Sequence, residues 1–253
     1  MPIIYARGLT GRERSTRANR QLGMALAFVA GATNAGGFLA VQQYTSHMTG
    51  IVSAMADNLA LGAYDLVWAG AGGLFSFMAG AACSAVMVNY ARRRHMQSVY
   101  ALPLLVEAFL LLGFGLLGAR LSRIEGLFVP LTVMLLCFIM GLQNAVITKL
   151  SNAEIRTTHI TGIVTDIGIE LGKLCYWNGM HSDARPKVRA NRVRLGGLSL
   201  LALFFLVGGV AGALGFKYLG YVSTVPLAIV LIGMASVPAY DDLSAAVRRW
   251  AGR

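Results

Sequence analysis

Apolar residues run along this chain in blocks of about twenty, separated by short basic or polar segments. The unbroken blocks lie at about 22–41, 66–91, 100–119, 127–149, 196–216 and 219–237. A helix needs about 20 mostly apolar residues to cross the hydrocarbon of a bilayer. The pattern therefore predicts an all-α membrane protein with about six transmembrane helices. Two weaker stretches, 45–62 and 157–175, are interrupted by His47, Asp57 and Asn58 and by His159, Asp166 and Glu170. They are predicted as re-entrant or broken helices; if both crossed, there would be eight spans.

Sidedness separates the two topologies. With the N-terminus inside and the weak stretches returning to the side they leave, all but Arg120, Arg123 and Lys217 of the 22 Lys and Arg side chains fall inside. Eight spans would place Arg92–Arg94, Lys149, Arg156 and Lys217 outside. Basic residues collect on cytoplasmic loops, so six spans are the better account, with both termini cytoplasmic. The parts are then a basic tail at 1–20, one membrane repeat at 21–120, a second at 127–237, and an interfacial tail at 238–253.

The repeat is explicit in the residues. Residues 45–52 read TSHMTGIV and residues 157–164 read TTHITGIV. Upstream, Gly31 to Ala35 (GATNA) is echoed by Gly141 to Ala145 (GLQNA), and downstream Leu61-Gly62 by Leu171-Gly172. A unit of this length is the scale of half a transporter, not of a solenoid repeat. Three spans per half is an odd number, so the halves have opposite orientations; with eight spans they would be parallel. Inverted repeats recur in secondary transporters, whose sites lie at discontinuous helices in matching positions of the two halves.

Composition agrees and narrows the classes. Hydrophobic residues make up 56% of the chain and charged ones 13%, against roughly 25% charged in a soluble domain. The net charge of +11 sits in blocks flanking the apolar runs, without interleaved aromatics, so the expected partner is the lipid bilayer and no nucleic acid. Cys83, Cys137 and Cys175 have neither disulfide nor zinc spacing. A P-loop reading of GIVTDIGIELGK fails, because Ile167 stands where the first glycine belongs. No nucleophile–base pair appears, so no enzyme, catalytic residue, metal or cofactor is predicted.

The candidate chemistry lies in the duplicated segments. Thr45 and Thr157 are placed to cap helix starts, and a helix start within the membrane offers unpaired amides to an anion. His47 and His159 add a donor or acceptor that titrates near neutrality. With Thr49, Gly50, Thr161, Gly162 and the paired Asn34 and Asn144, they form the predicted binding set for a small polar solute, anions included. The plainer alternative is two capped interfacial helices with locally bonded histidines. Asp57, Asp166, Glu170 and Glu107 are candidates for proton or ion coupling. Glu107 stands alone in an apolar span (LPLLVEAFLLLG) and has no counterpart in the second half. Gly72, Ser76, Gly80 and Ser84, with Gly208 and Gly212, read as helix-packing positions.

The run from Gly31 through His47-Met48-Thr49-Gly50 resembles the YoaK family of bacterial membrane proteins, a family classed as of unknown function. Gly31, Ala35, Phe38, Leu39, His47, Met48, Thr49 and Gly50 match, and the likeness extends over most of 20–237. It implies a multi-pass protein of the bacterial inner membrane and supplies no substrate. Two positions depart from the family pattern: Asn34 replaces an Asp and Ile51 replaces an Asn. If that Asp couples ions in relatives, the coupling is lost or altered here. The expected function is therefore that of a transporter or channel, with a non-transport scaffold or partner subunit as the alternative. Either is compatible with a homo-oligomer.

Overall fold

The computed structural model describes residues 16–121, 125–150, 160–178 and 187–251. Among these residues eight α-helices follow in order: α1 Thr16–Val41, α2 Met48–Ala60, α3 Tyr64–Arg93, α4 Ala101–Leu121, α5 Glu125–Leu150, α6 Ile160–Cys175, α7 Arg192–Leu219 and α8 Thr224–Ala251. A 3-10 turn, Gly220–Ser223, joins the last two, and no strand occurs among the described residues. The protein is an all-α membrane protein. Among the described residues five stretches are long and apolar enough to cross a bilayer, and the fifth, Arg192–Ser244, takes in α7 and most of α8. These fold apart at Gly220, whose φ of 61° closes α7 with a left-handed residue.

Length sets α2 and α6 apart. At 13 and 16 residues they reach about 20 and 24 Å, short of a hydrocarbon core of about 30 Å. Helix α3, with 30 residues, reaches about 45 Å. The weak stretches of the sequence are thus short helices, and the six strong ones are helices of 21 to 30 residues.

Contacts give each span its direction. Helices α1 and α7 run parallel: Gly23 faces Leu201, Gly31 faces Phe205 and Gly36 faces Phe216. Helices α3 and α5 run parallel too, with Gly72 on Met134, Gly80 on Phe138 and Asn89 Oδ1 accepting from Lys149 Nζ at 2.9 Å. Helices α1 and α5 are antiparallel, because Gln143 Nε2 donates to Leu26 O at 3.4 Å while Gly37 faces Leu136. Helices α4 and α8 are antiparallel, since Ser98 N donates to Asp242 Oδ2 at 2.7 Å and Gly118 faces Tyr221. Helix α4 also opposes α5: Tyr100 Oη donates to Lys149 O, and Phe114 clusters with Val133, Leu136 and Cys137. The spans therefore alternate, and the second half, α5–α8, is the first half inverted.

The halves are interleaved. Each pairs its first span with the third element of the other: α1 on α7 and α3 on α5. One device makes both crossings. Phe28, Phe77, Phe138 and Phe205 each precede a glycine by three positions, and each glycine abuts the carbonyl of a phenylalanine across the crossing. A Cβ on Gly31 or Gly141 would overlap the carbonyl of Phe205 or Phe77, and one on Gly208 or Gly80 that of Phe28 or Phe138. Bilayers offer helices no hydrophobic drive to associate, so close backbone approach over small residues supplies the packing energy. The packing role read for Gly72, Gly80, Gly208 and Gly212 is what these contacts show. Helices α1 and α5 lie at the centre: 67% of the most apolar stretch of α5 is buried against 22% of that of α3.

The basic ends collect on one face. The ends of α3 (Arg92, Arg93) and α5 (Lys149), the start of α7 (Arg192, Arg194) and the far end of α8 (Arg248) lie together, with the α2–α3 turn and Lys217 opposite. Helix α8 passes through Pro238 uninterrupted, so residues 238–251 continue the last span rather than begin a separate element.

Candidate functional site

Helix α1 ends at Val41, and the chain turns through Gln42, whose φ of 55° is left-handed. That conformation costs a non-glycine residue about 1–2 kcal/mol, so the surroundings hold it. The next residues are tied back to α1: Asn34 Oδ1 accepts from Ser46 Oγ at 2.8 Å and from Ser46 N at 3.4 Å. Tyr44 stacks on Phe38 with ring centroids 4.5 Å apart. Helix α2 then starts behind His47 and packs on α3 through a hairpin closed at Gly62.

The start of α2 is deep. Ile51, only 5% exposed, packs with Val41, Phe114, Leu136 and Cys137. Ile51 and Met55 lie against Gly70, roughly 9 Å along α3 from its start at Tyr64. The matching helix repeats this from the other face. Ile163, 4% exposed, packs with Ala27, Leu198 and Leu201, and Leu198 lies roughly 9 Å along α7 from Arg192. Both T-G-I-V segments thus begin helices within the thickness of the bundle and run outward to opposite faces.

Around the first break lies an open cavity of about 430 Å³, lined by Phe38, Gln42, Gln43, Tyr44, His47 and Gly50, with Val41, Ile51 and Ala54 as its apolar wall. Amides, a phenol and an imidazole face it, and none of its lining residues is an acid, lysine or arginine. His47 and Thr49 are exposed, and the imidazole lies over Gly50, where a Cβ would displace it. Thr45 does not cap the helix. His47 occupies the N-cap without a side-chain cap bond, and Thr45 Oγ1 is buried with no partner among the described residues. The reason is reach: capping side chains act from the N-cap itself, and Thr45 stands two positions before it.

In the second half, Thr157 and His159 lie outside the described residues. Thr161 and Gly162 are exposed in the first turn of α6, and Asn144 occupies on α5 the place of Asn34 on α1. The acids separate clearly. Asp57 is exposed on α2. Asp166 pairs with Arg194 at 2.9 Å. Glu170 is buried, pairs with Lys173 at 2.9 Å and accepts from Asn191 N at 2.7 Å. The hydrogen bond from Lys173, then that of the Asn191 amide, holds the Glu170 carboxyl below the ordinary carboxylate value. Glu107 is fully buried on α4, and neither carboxyl oxygen has a hydrogen-bond partner among the described residues.

Several site residues carried little signal in the sequence. Gln42 and Gln43 close an apolar run, and Phe38 and Tyr44 only become a wall when the chain turns. Gln143, fully buried with its amide on Leu26 O, is one position from Asn144 and could have been read with it. Among the described residues, no three His, Cys, Asp or Glu side chains gather as a metal site.

A family model described as "Protein of unknown function (DUF1275)" matches residues 22–237. Neither a curated protein nor a solved structure matches the chain.

Proposed function

We propose that this chain, which belongs to the DUF1275 family, carries a small polar solute across the bacterial inner membrane. The resemblance to the YoaK family is compatible with that membership. The observation that carries the reading is the pair of matching helices α2 and α6, whose Ile51 and Ile163 are buried at like distances in from opposite faces of two inverted halves. A bilayer protein that only needed to be anchored would not place irregular backbone at that depth, where it is tolerated only inside protein or beside a water-filled cavity. The solute is small and hydrogen-bonding, neutral or singly anionic. The cavity presents amides, a hydroxyl and an imidazole beside a helix N-terminus, whose dipole favours negative charge, and no cation that would demand a multivalent anion.

The direct test is swelling of proteoliposomes presented with urea, glycine, formate or nitrate, followed by light scattering. Swelling with at least one of these, lost in His47→Ala, supports the reading. Vesicles that respond to none, with protein inserted and monodisperse, overturn it in favour of a scaffold. Orientation follows from the basic face: a cysteine at Gln97, in a chain freed of native cysteines, is shielded from an impermeant reagent on intact cells, and one at Leu61 is labelled. The reverse pattern would place the termini outside.

A further inference from the structure

Glu107 is a costly residue with no visible structural return. It shares the buried stripe of α4 with Leu104, Leu111 and Phe114. Along α4 it stands halfway between Tyr100, bonded to Lys149 O, and Phe114, which clusters with Val133, Leu136 and Cys137, and this puts it near the middle of α5. Helix α4 packs there on α5 and α8, both from the opposite half. An ionised carboxylate sealed in such a place without partners is far too costly to hold, so the site holds the neutral acid. A neutral acid placed for packing would spend its O–H on a neighbour, and an apolar side chain of similar volume would be at least as stable.

Among the described residues of the helices packed on α4, no cation lies at that depth. Helix α8 carries no titratable side chain between Thr224 and Tyr240, and α5 offers only Cys137 between Glu125 and Lys149. On α3, which also touches α4, the titratable groups are Cys83 at mid-span and Tyr64, Asp65, Tyr90, Arg92 and Arg93 toward the ends. Gln143 Oε1 on α5 and Thr33 Oγ1 on α1 are among the other polar atoms buried with no partner among the described residues. Thr33 adjoins Asn34, which anchors the cavity loop.

We propose that Glu107 is a proton-binding site of this protein, sealed as the neutral acid in the state described and exchanging its proton with water when the seam between α4 and α8 loosens. The step is Glu107–COOH giving Glu107–COO⁻ and a proton taken up by water. The bare carboxylate left behind is stable only while water reaches it, which ties release to opening. The proposal rests on the transport reading and adds the coupling ion.

Infrared spectroscopy of the full chain in lipid tests it without a known solute. At neutral pH, where ordinary carboxyls with values of about 4 are ionised, the wild type shows a carboxylic C=O band that Glu107→Gln removes. The band shifts on transfer to D₂O while the protein stays folded. Glu107→Asp, which keeps the acid, retains a displaced band and serves if the glutamine variant does not fold. Superimposable wild-type and Glu107→Gln spectra overturn the proposal, because the acid is then ionised. So does a band that D₂O never moves, because the acid is then sealed for packing alone. Solute flux that ignores an imposed pH gradient, equally in wild type and Glu107→Gln, sinks the coupling and leaves transport standing. An exchanging Glu107 in vesicles that pass no solute sinks transport and leaves the proton site.

Discussion

Helices α2 and α6 share the four residues Thr-Gly-Ile-Val directly after their first positions, Met48 and Ile160, and then part company. Their anchors coincide: Ile51 and Ile163 are both buried, each roughly 9 Å in from the start of the next helix. Nine positions after the shared threonine the first copy has Asn58 and the second Glu170. Helix α2 borders a cavity whose lining carries no acid, lysine or arginine and leaves Asp57 exposed. Helix α6 runs to the basic face, where Arg194 and Lys173 hold Asp166 and Glu170. The inverted repeat thus keeps its packing anchor and lets the chemistry follow the face that each copy meets. Acids are held by pairing where the arginines collect, and in the first half the helix start stays beside an open cavity.

The equivalence of the halves is broken most severely at the crossings. Gly31→Val and Gly141→Val should each destabilise by about 3 kcal/mol, the upper range for overpacking, because the new side chain meets a backbone carbonyl that cannot step aside. Thermal unfolding followed by size-exclusion chromatography measures this, and tolerance of either variant would show that the two crossings are not alike.

Asn34→Ala removes the bonds to Ser46 and should cost about 1 kcal/mol while loosening the cavity loop. Asn34→Asp, which keeps the acceptor, should cost less. Equal melting curves for both variants would mean that the Ser46 tie contributes nothing.

The acid cluster of α6 predicts a pH effect with a definite sign. The Glu170 carboxyl is depressed in the folded state, so its contribution is present above the unfolded value of about 4.3 and is lost as pH falls through the lower folded value. Glu170→Gln should lower the melting temperature at neutral pH and flatten its decline below about pH 4. Asp57→Asn, at an exposed position, should leave that profile unchanged. A parallel profile in Glu170→Gln would show that the cluster does not carry acid sensitivity.

The smallest stability effect belongs to the residue expected to matter most for flux. His47→Ala should alter stability by less than about 0.5 kcal/mol, because the imidazole is exposed and caps nothing. A large loss of stability would recast His47 as a structural residue.

Much of this architecture is written in the sequence. Blocks of about twenty apolar residues specify spans because a bilayer rewards little else, and the Lys and Arg bias fixes which ends share a face. The duplicated T-x-H-x-T-G, with three long apolar blocks per copy, predicts inversion by counting alone. Other features belong to the tertiary structure. An apolar helix face looks the same whether it meets lipid or protein, so no periodicity says that α1 pairs with α7 and α3 with α5. Those pairings are decided by the fit of Gly31, Gly80, Gly141 and Gly208 against phenylalanine carbonyls. The depth of His47, the failure of Thr45 to cap, and the contrast between paired Glu170 and unpartnered Glu107 depend equally on neighbours distant in the chain. Burial and pairing are properties of where helices meet, and the chain itself states only which residues are available to meet.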